Sequence, residues 1–437
     1  MDGETRFVNW FRDAAPYIQA HRDRTFVIYF SGEAVADGSF SQTIHDFAIL
    51  NSLGIRLVLV HGMRPQINQR LEAAGLESSY HKGIRITDPA SLQCVKEAAG
   101  TVRIEIEALL SMGLSNSPLT GTRTRVCTGN FVTARPLGVK DGIDFCHTGE
   151  IRRIDCQSIG EKLNHNNIIV VSPIGNSPTG EVFNLSAESL SVRIAVELVA
   201  DKLIFLTEAA MPLGEPENPI RQLTTIEAKG IFCRDHGFDK ITQRHLELAV
   251  EACDAEVGRV HLINRRSDGA IFEELFSRDG VGTLISSTPF EVMRIATLQD
   301  LAGILDLITP LEQQGVLVKR GREVLETEIG RFTVIDRDGL IIGCAALYPF
   351  NSDQAGELGC IAIHDEYAGA ARGTSLLEHV EKSARSLALN QLFVLTTQAT
   401  HWFRERGFEL AGTDSLPTEK QGLYNFSRNS KVLCKKV

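Results

Sequence analysis

Between Phe26 and about Ser286, short apolar runs alternate with helical patterns, and past Pro289 that alternation stops. The runs Phe26–Phe30, Arg56–Val60, Ile168–Ser172, Leu203–Leu206 and Arg259–Ile263 have the length and β-branched content of strands buried on both faces. Arg64–Ala74, Ala187–Val199 and Thr242–Ala255 carry helical periodicity between them. This order predicts an α/β unit with a mostly parallel central sheet covered by helices. Thr120–Arg125 and Ile143–Ile151, with a turn at Asp141-Gly142, are expected to form an added hairpin layer.

A polar Ser-Ser-Thr-Pro stretch at Ser286–Pro289 separates this unit from a different texture. A strand from Phe290 to Ala296 is followed by a helix (Asp300–Gln313), strands at Arg331–Asp336, Leu340–Tyr348 and Glu357–His364, and a helix over Gly373–Ala388. A strand (Leu392–Thr396), a short helix (His401–Arg406) and a final strand near Lys431–Cys434 complete it. Mostly antiparallel strands with helices packed on them make an α+β domain. The expected division is 1–286, a linker at 287–290, and 291–437. Length alone predicts two or three domains, because one core seldom serves a chain of 437 residues.

The net charge of −10 argues against nucleic-acid or anionic-membrane partners, which reward basic surfaces, so an anionic ligand must meet a local basic pocket. Nine cysteines without a CxxC pair fit reduced intracellular thiols better than a disulfide framework or a metal site. Acidic residues occupy the amino terminus where a signal peptide would be positive, and no apolar run approaches the ~20 residues of a membrane span. A cytoplasmic enzyme with no metal is the expectation.

The stretch from Gly356 to Leu377 carries the chemistry. A β-branched strand enters a loop of small residues, Gly369, Ala370, Ala371 and Gly373, which opens directly into an amphipathic helix. Such a loop offers backbone amides at the positive end of a helix and lets a pyrophosphate approach closely. The plainer reading is that small residues only let the helix pack on the sheet. This strand, loop and helix resemble the coenzyme A-binding motif of the GCN5-related N-acetyltransferases, and the resemblance implies acetyl transfer to an amine, which requires removal of a proton from the ammonium and donors for the tetrahedral oxyanion. Glu357, at the start of the strand, is the candidate base; amides near Ile361 and Ile363 are the candidate oxyanion donors. Thr396, ending the next strand, is placed to hydrogen-bond the departing sulfur. From Lys420 to Val437 there are five basic residues and no acid, a local excess that suggests an anionic substrate. Arg428 with Ser430, plus Lys420 and Arg320, suits two carboxylates. The competing readings are a solvated glutamate, a strand-forming threonine and a solvated basic terminus.

The loop resembles the coenzyme A motif of the GCN5-related N-acetyltransferases, with Ala368 where glutamine or arginine is usual, Ala371 at the middle glycine, and Phe403 at a common tyrosine position. The resemblance implies acetyl-CoA held by Ile361, Ala362, Ile363, Gly369, Ala370, Ala371, Arg372, Gly373 and Thr374. The ordered set Glu357-Leu-Gly-Cys-Ile-Ala, Phe393-Val-Leu-Thr-Thr, His401-Trp-Phe-Arg-Glu-Arg-Gly-Phe and Tyr424-Asn-Phe-Ser-Arg-Asn-Ser-Lys is similar to the bacterial N-acetylglutamate synthase family. That family implies glutamate contacts at Arg320, Cys360, Lys420, Arg428 and Ser430, with Lys420 replacing what is more often arginine.

The first unit resembles the amino-acid kinase fold, acetylglutamate kinase especially, through Phe26-Val-Ile-Tyr-Phe-Ser-Gly, Val60-His-Gly-Met-Arg-Pro-Gln-Ile, Gly83-Ile-Arg-Ile-Thr-Asp, Phe183-Asn-Leu-Ser-Ala-Glu and Leu206-Thr-Glu. Phosphoryl transfer needs lysines to compensate charge. Tyr29 stands at the first expected lysine, Thr242–Leu246 lacks the second, Met63 and Arg64 replace glycines, and Glu188 replaces aspartate. The resemblance thus implies a silent kinase-like domain. By likeness to arginine-inhibited kinases, His261, Glu274 and Gly280, with Trp10 on an amphipathic helix over Phe7–Ile18, would bind L-arginine as a feedback inhibitor, in a homo-oligomer that is commonly a hexamer. The expected reaction moves acetyl from acetyl-CoA to the α-amine of L-glutamate, the first step of arginine biosynthesis. A working acetylglutamate kinase with a regulatory tail, a non-catalytic arginine sensor and a protein-lysine acetyltransferase remain as alternatives.

Overall fold

The computed structural model describes residues 3–112, 124–215, 218–232, 238–369, 371–425 and 428–437. It divides into two compact units, Met1–Pro289 and Phe290–Val437.

The first unit is built on an eight-stranded sheet. Its order across the sheet is Gln222–Thr224, Thr283–Ser286, Arg259–Asn264, Lys202–Thr207, Thr25–Phe30, Arg56–His61, Asn167–Val171 and Arg125–Cys127. All neighbours are parallel except Arg259–Asn264 with Thr283–Ser286. The continuous apolar runs read from the sequence are these strands, because both faces are covered and neither needs a polar side. Alternation survives in the packing: Val27 and Tyr29 enter one core, while Phe26, Ile28 and Phe30 enter the core on the opposite face. Burying a side chain of that size stabilises the fold by about 1.5–3 kcal/mol. Helices start where the sequence supplies oxygen caps: Asp88 accepts the amide of Ser91, and Asp239 those of Ile241 and Thr242.

A second sheet, ordered Val182–Asn184, Ile174–Asn176, Val132–Pro136 and Gly149–Ile154, forms the added layer. Its pairing differs from the expected hairpin. Asp141-Gly142 does turn a hairpin, but between Val139–Lys140 and Ile143–Asp144, and Gly149–Ile154 pairs with Val132–Pro136. Most of Thr120–Arg125 lies outside the described residues; Arg125–Cys127 joins the main sheet, because its neighbour Asn167–Val171 offers a free parallel edge.

The second unit has one seven-stranded sheet, ordered Glu291–Ile295, Phe332–Arg337, Leu340–Phe350, Ala355–Ile363, Gln391–Thr396, Lys431–Lys436 and Glu409–Ala411. Every pair is antiparallel save Ala355–Ile363 with Gln391–Thr396. Helix Leu301–Gln313 packs on one face with Phe332, Val334 and Cys344; helix Arg372–Ser386 packs on the other with Ile342, Leu358 and Leu392. Helices Arg322–Glu328 and Thr418–Gln421 and strand Glu409–Ala411 have no counterpart in the sequence reading. Each is short, and Arg322–Glu328 buries a single apolar residue, Leu325, so no period could show.

Candidate functional site

Strand Ala355–Ile363 is irregular on both edges. Its parallel pairing with Gln391–Thr396 covers only Ala355 to Glu357 against Gln391 to Phe393, after which the two strands part. On the other edge, Cys344 opposes Ala362 while Ala346 opposes Gly359, so Cys360 and Ile361 together face the single residue Ala345. This is a β-bulge, with Cys360 at φ 48° in the left-handed region. Bulging and parting leave the peptide groups around Ile361 without a neighbouring strand on the side of Gln391–Thr396.

A cavity of about 370 Å³ lies there. Ile361, Ala362, Ile363, Ala368, Gly369, Ala371, Gly373 and Thr374 line it, facing Ala399, Trp402, Phe403 and Arg406. Gly369 (φ 106°) and Ala371 (φ 58°) turn the chain into helix Arg372–Ser386, and the Ala371 carbonyl accepts the amide of Ser375 at 2.9 Å. First-turn amides of a helix lack partners within the helix, and they carry its positive end. A Cβ at Gly373 would stand 3.2 Å from the Trp402 ring, so a larger residue would press on that wall of the cavity. Arg406 lies over the Trp402 ring and donates from Nε to Thr374 Oγ1 at 3.0 Å. Amides, a cation and an apolar channel are the fittings a pyrophosphate with a thioester arm requires, so these residues fit acetyl-CoA.

Seven of the nine residues assigned to the coenzyme line this cavity. Ala370 lies outside the described residues. Arg372 does not line it: its guanidinium pairs with Glu291 at 2.7 and 2.9 Å and donates to the Tyr367 carbonyl. Trp402 and Arg406 were missed, although a tryptophan and an arginine four apart at a helix end is a readable signal. Phe403 is buried edge-on between Trp402 and Phe408, a core position with no hydroxyl to offer.

Beside the parting point, the Glu357 carboxylate forms a 2.6 Å ion pair with Lys420, both side chains mostly buried. Thr396 Oγ1 accepts the amides of Ala399 at 2.9 Å and Gln398 at 3.3 Å, which leaves its O–H proton available as a donor. Burial opposes the charge of Arg320, but the neighbouring Cys360, Tyr348 and Glu357 outweigh it and raise its pKa. Burial pushes the Cys360 thiol up to about 11, so it is a neutral wall and not a thiolate. Tyr348 stands across the strand pair from Glu357 and beneath Arg320, a neighbour the sequence did not single out.

Arg428 is engaged by backbone: its Nη2 donates to Val316 at 2.6 Å and Gly315 at 3.2 Å. Arg320 donates to the Val318 carbonyl, so both arginines are anchored on one turn after helix Leu301–Gln313. Ser430 is buried, its carbonyl accepts from Tyr424 Oη at 2.6 Å, and it immediately precedes Lys431, the register partner of Thr396.

Residues 24–229 match the Amino acid kinase family, and residues 328–410 match the Acetyltransferase (GNAT) domain. Over 431 residues the chain is 49% identical to an amino-acid acetyltransferase of Pseudomonas syringae pv. tomato, covering 99% of each. It is 50% identical over 426 residues to that of Pseudomonas fluorescens, covering 98% of each. The chain belongs to the amino-acid acetyltransferase family. A solved structure of N-acetylglutamate synthase from Neisseria gonorrhoeae, complexed with coenzyme A and L-arginine, is 36% identical with a TM-score of 0.90 over 99% of both chains. A second structure of that enzyme, with coenzyme A and N-acetyl-glutamate, has a TM-score of 0.62 and covers 98% of this chain and 99% of its own.

In this acetyltransferase the kinase-like unit holds a buried polar cluster. His261 Nδ1 lies 2.6 Å from Glu274 Oε1, and Glu274 Oε2 accepts the amides of Gly282 at 2.7 Å and Val281 at 2.8 Å. Burial and then Lys202 lower the His261 pKa, so its neutral ring donates from Nδ1 while Nε2 faces Lys202 Nζ at 3.4 Å. Burial pushes Glu274 upward, but His261 and the two amides prevail and hold it below its usual range. Gly280, at φ 62°, has its carbonyl engaged by Arg221 Nη1 at 2.7 Å. Three of the four residues assigned to arginine therefore stand together. Trp10 is 48% exposed on helix Gly3–His21, three turns before His21, whose Nε2 meets the Leu275 carbonyl. Tyr29, at the expected lysine position, packs against Phe205 and His245. Among the described residues no cluster of His, Cys, Asp and Glu is arranged to hold a metal, and no helix is long and apolar enough to cross a membrane.

Proposed function

We propose that this chain transfers acetyl from acetyl-CoA to the α-amine of L-glutamate, giving N-acetyl-L-glutamate and coenzyme A, and that L-arginine inhibits it through the kinase-like unit. The reading rests on one juxtaposition: a carboxylate, Glu357, stands where two strands part beside a cavity lined by amides and Arg406. Gly369, Ala371, Gly373, Thr374 and Arg406 hold the pyrophosphate, and the coenzyme supplies the activated thioester. The substrate enters as an ammonium; Glu357 takes its proton, directly or through a water. The amine nitrogen then attacks the thioester carbon, and the oxyanion is met by amides near Ile361 and Ile363. The C–S bond breaks, the thiolate leaves with a hydrogen bond from Thr396, and the second proton of the attacking nitrogen passes to that thiolate, giving the amide and coenzyme A. Arg320, Lys420, Arg428 and Ser430 seat the two substrate carboxylates against Cys360.

In this reading residues 1–286 regulate, 287–290 link and 291–437 catalyse. Arginine binds near His261, Glu274 and Gly280, the assembly is a homo-oligomer, by family resemblance a hexamer, and the enzyme works in the cytoplasm as the first step of arginine biosynthesis. Thiol release from acetyl-CoA, measured across amino acids with and without arginine, tests it. Glutamate should be preferred and arginine should suppress its turnover; equal turnover with glutamine would end the two-carboxylate pocket.

A further inference from the structure

Two residues with separate expected roles, the base and a substrate cation, are in contact. Glu357 comes from the strand that parts, and Lys420 from helix Thr418–Gln421, yet their charged atoms are 2.6 Å apart with side chains 11% and 22% exposed. Among the described residues this is the one ion pair Glu357 makes. While that contact holds, the Lys420 ammonium occupies the carboxylate oxygen that a substrate ammonium would have to reach, so the base is engaged until Lys420 is drawn away.

We propose that Lys420 is a substrate-released latch on Glu357. Resting on the acetyltransferase reading above, the inference adds a control step. With the amino-acid site empty, Lys420 holds the base. An entering dicarboxylate gives the ammonium a replacement anion, one carboxylate for another, so the exchange leaves local charge balanced. The ammonium has three donors on a flexible stem and can transfer between partners as a rigid guanidinium fork cannot. Glu357 is then free beside the substrate's ammonium. Side-chain recognition therefore acts on turnover as well as on binding, and the thioester is guarded from water while no acceptor is present.

Water is the reporter. If Glu357 is unlatched without an amine, it takes a proton from water, the hydroxyl adds to the thioester carbon, the C–S bond breaks, and acetate and coenzyme A form. In the full-length chain, Lys420→Met should raise acetyl-CoA hydrolysis without amino acid by about tenfold, a part of the ~10²–10⁴ that general bases contribute. Adding Glu357→Gln should abolish the rise. Glutarate, a dicarboxylate without an amine, should raise hydrolysis by the unaltered enzyme, which keeps the test independent of whether Lys420→Met folds. Hydrolysis that glutarate leaves unchanged would overturn the latch. So would hydrolysis by Lys420→Met no faster than by the unaltered enzyme, with coenzyme A affinity retained. Failure of the unaltered enzyme to acetylate glutamate would instead overturn the reading beneath it.

Discussion

The guanidinium of Arg406 lies 4.0 Å from the centroid of the Trp402 ring. That stack, with the hydrogen bond to Thr374, fixes a positive charge on the cavity wall opposite the small-residue loop.

Removing that charge should weaken the coenzyme and leave the chemistry intact. A charged hydrogen bond contributes about 1.5–3 kcal/mol, so Arg406→Ala should raise the KM for acetyl-CoA by roughly tenfold or more with kcat little changed. Steady-state kinetics with coenzyme varied, and calorimetric titration of coenzyme A, check it.

The opposite pattern is expected at the base. Glu357→Gln keeps the volume and removes both the proton acceptor and the ion pair with Lys420. Turnover should fall by about 10²–10⁴ while coenzyme binding stays within about twofold. Single-turnover measurements separate the chemical step from product release.

Gly280 cannot carry a side chain. Its φ of 62° disfavours one, and a Cβ would stand within 2.3 Å of Glu274 Oε2. Gly280→Ala should cost about 2 kcal/mol or more, and where L-arginine is expected to raise the melting temperature of the unaltered chain, this variant should show no rise. Thermal unfolding with and without arginine is the measurement.

Acid should loosen the first unit. Burial is the chief cause that lowers both His61 and His21 to about 4 from an ordinary 6.5. The folded state therefore prefers them neutral and the unfolded chain protonates them first. Their contribution is complete above about pH 6.5 and is lost as the pH falls toward 4. Each imposes a slope of up to about 1.4 kcal/mol per pH unit. Denaturant midpoints recorded from pH 7.5 to 4.5 should decline across that window, and less steeply in His61→Gln.

The strands of the first unit were legible because burial on both faces leaves an uninterrupted apolar signature, as in Leu203–Leu206 within strand Lys202–Thr207. The small-residue loop was legible because its conformation admits few side chains, and Gly369 at φ 106° is its clearest mark. Side-chain commitments were not. Nothing in the local sequence says that Arg372 is taken by Glu291, 81 positions earlier, or that Arg428 is engaged by the carbonyls of Gly315 and Val316. The meeting of Lys420 with Glu357 is equally hidden, since it joins a strand to a polar segment without period. The bulge at Cys360 gave no warning either, because cysteine is not a residue that favours φ 48°.

The three pairings from Ala355 to Glu357 are what tie four strands of the second unit to the other three. A thioester arm lying in the gap beyond Phe393 would take up the peptide groups left over and lace the halves together. The sheet would then be complete only with coenzyme in place. Amide exchange at Ile361, Ile363 and Val394 should follow occupancy, slowing with coenzyme bound and quickening when it departs.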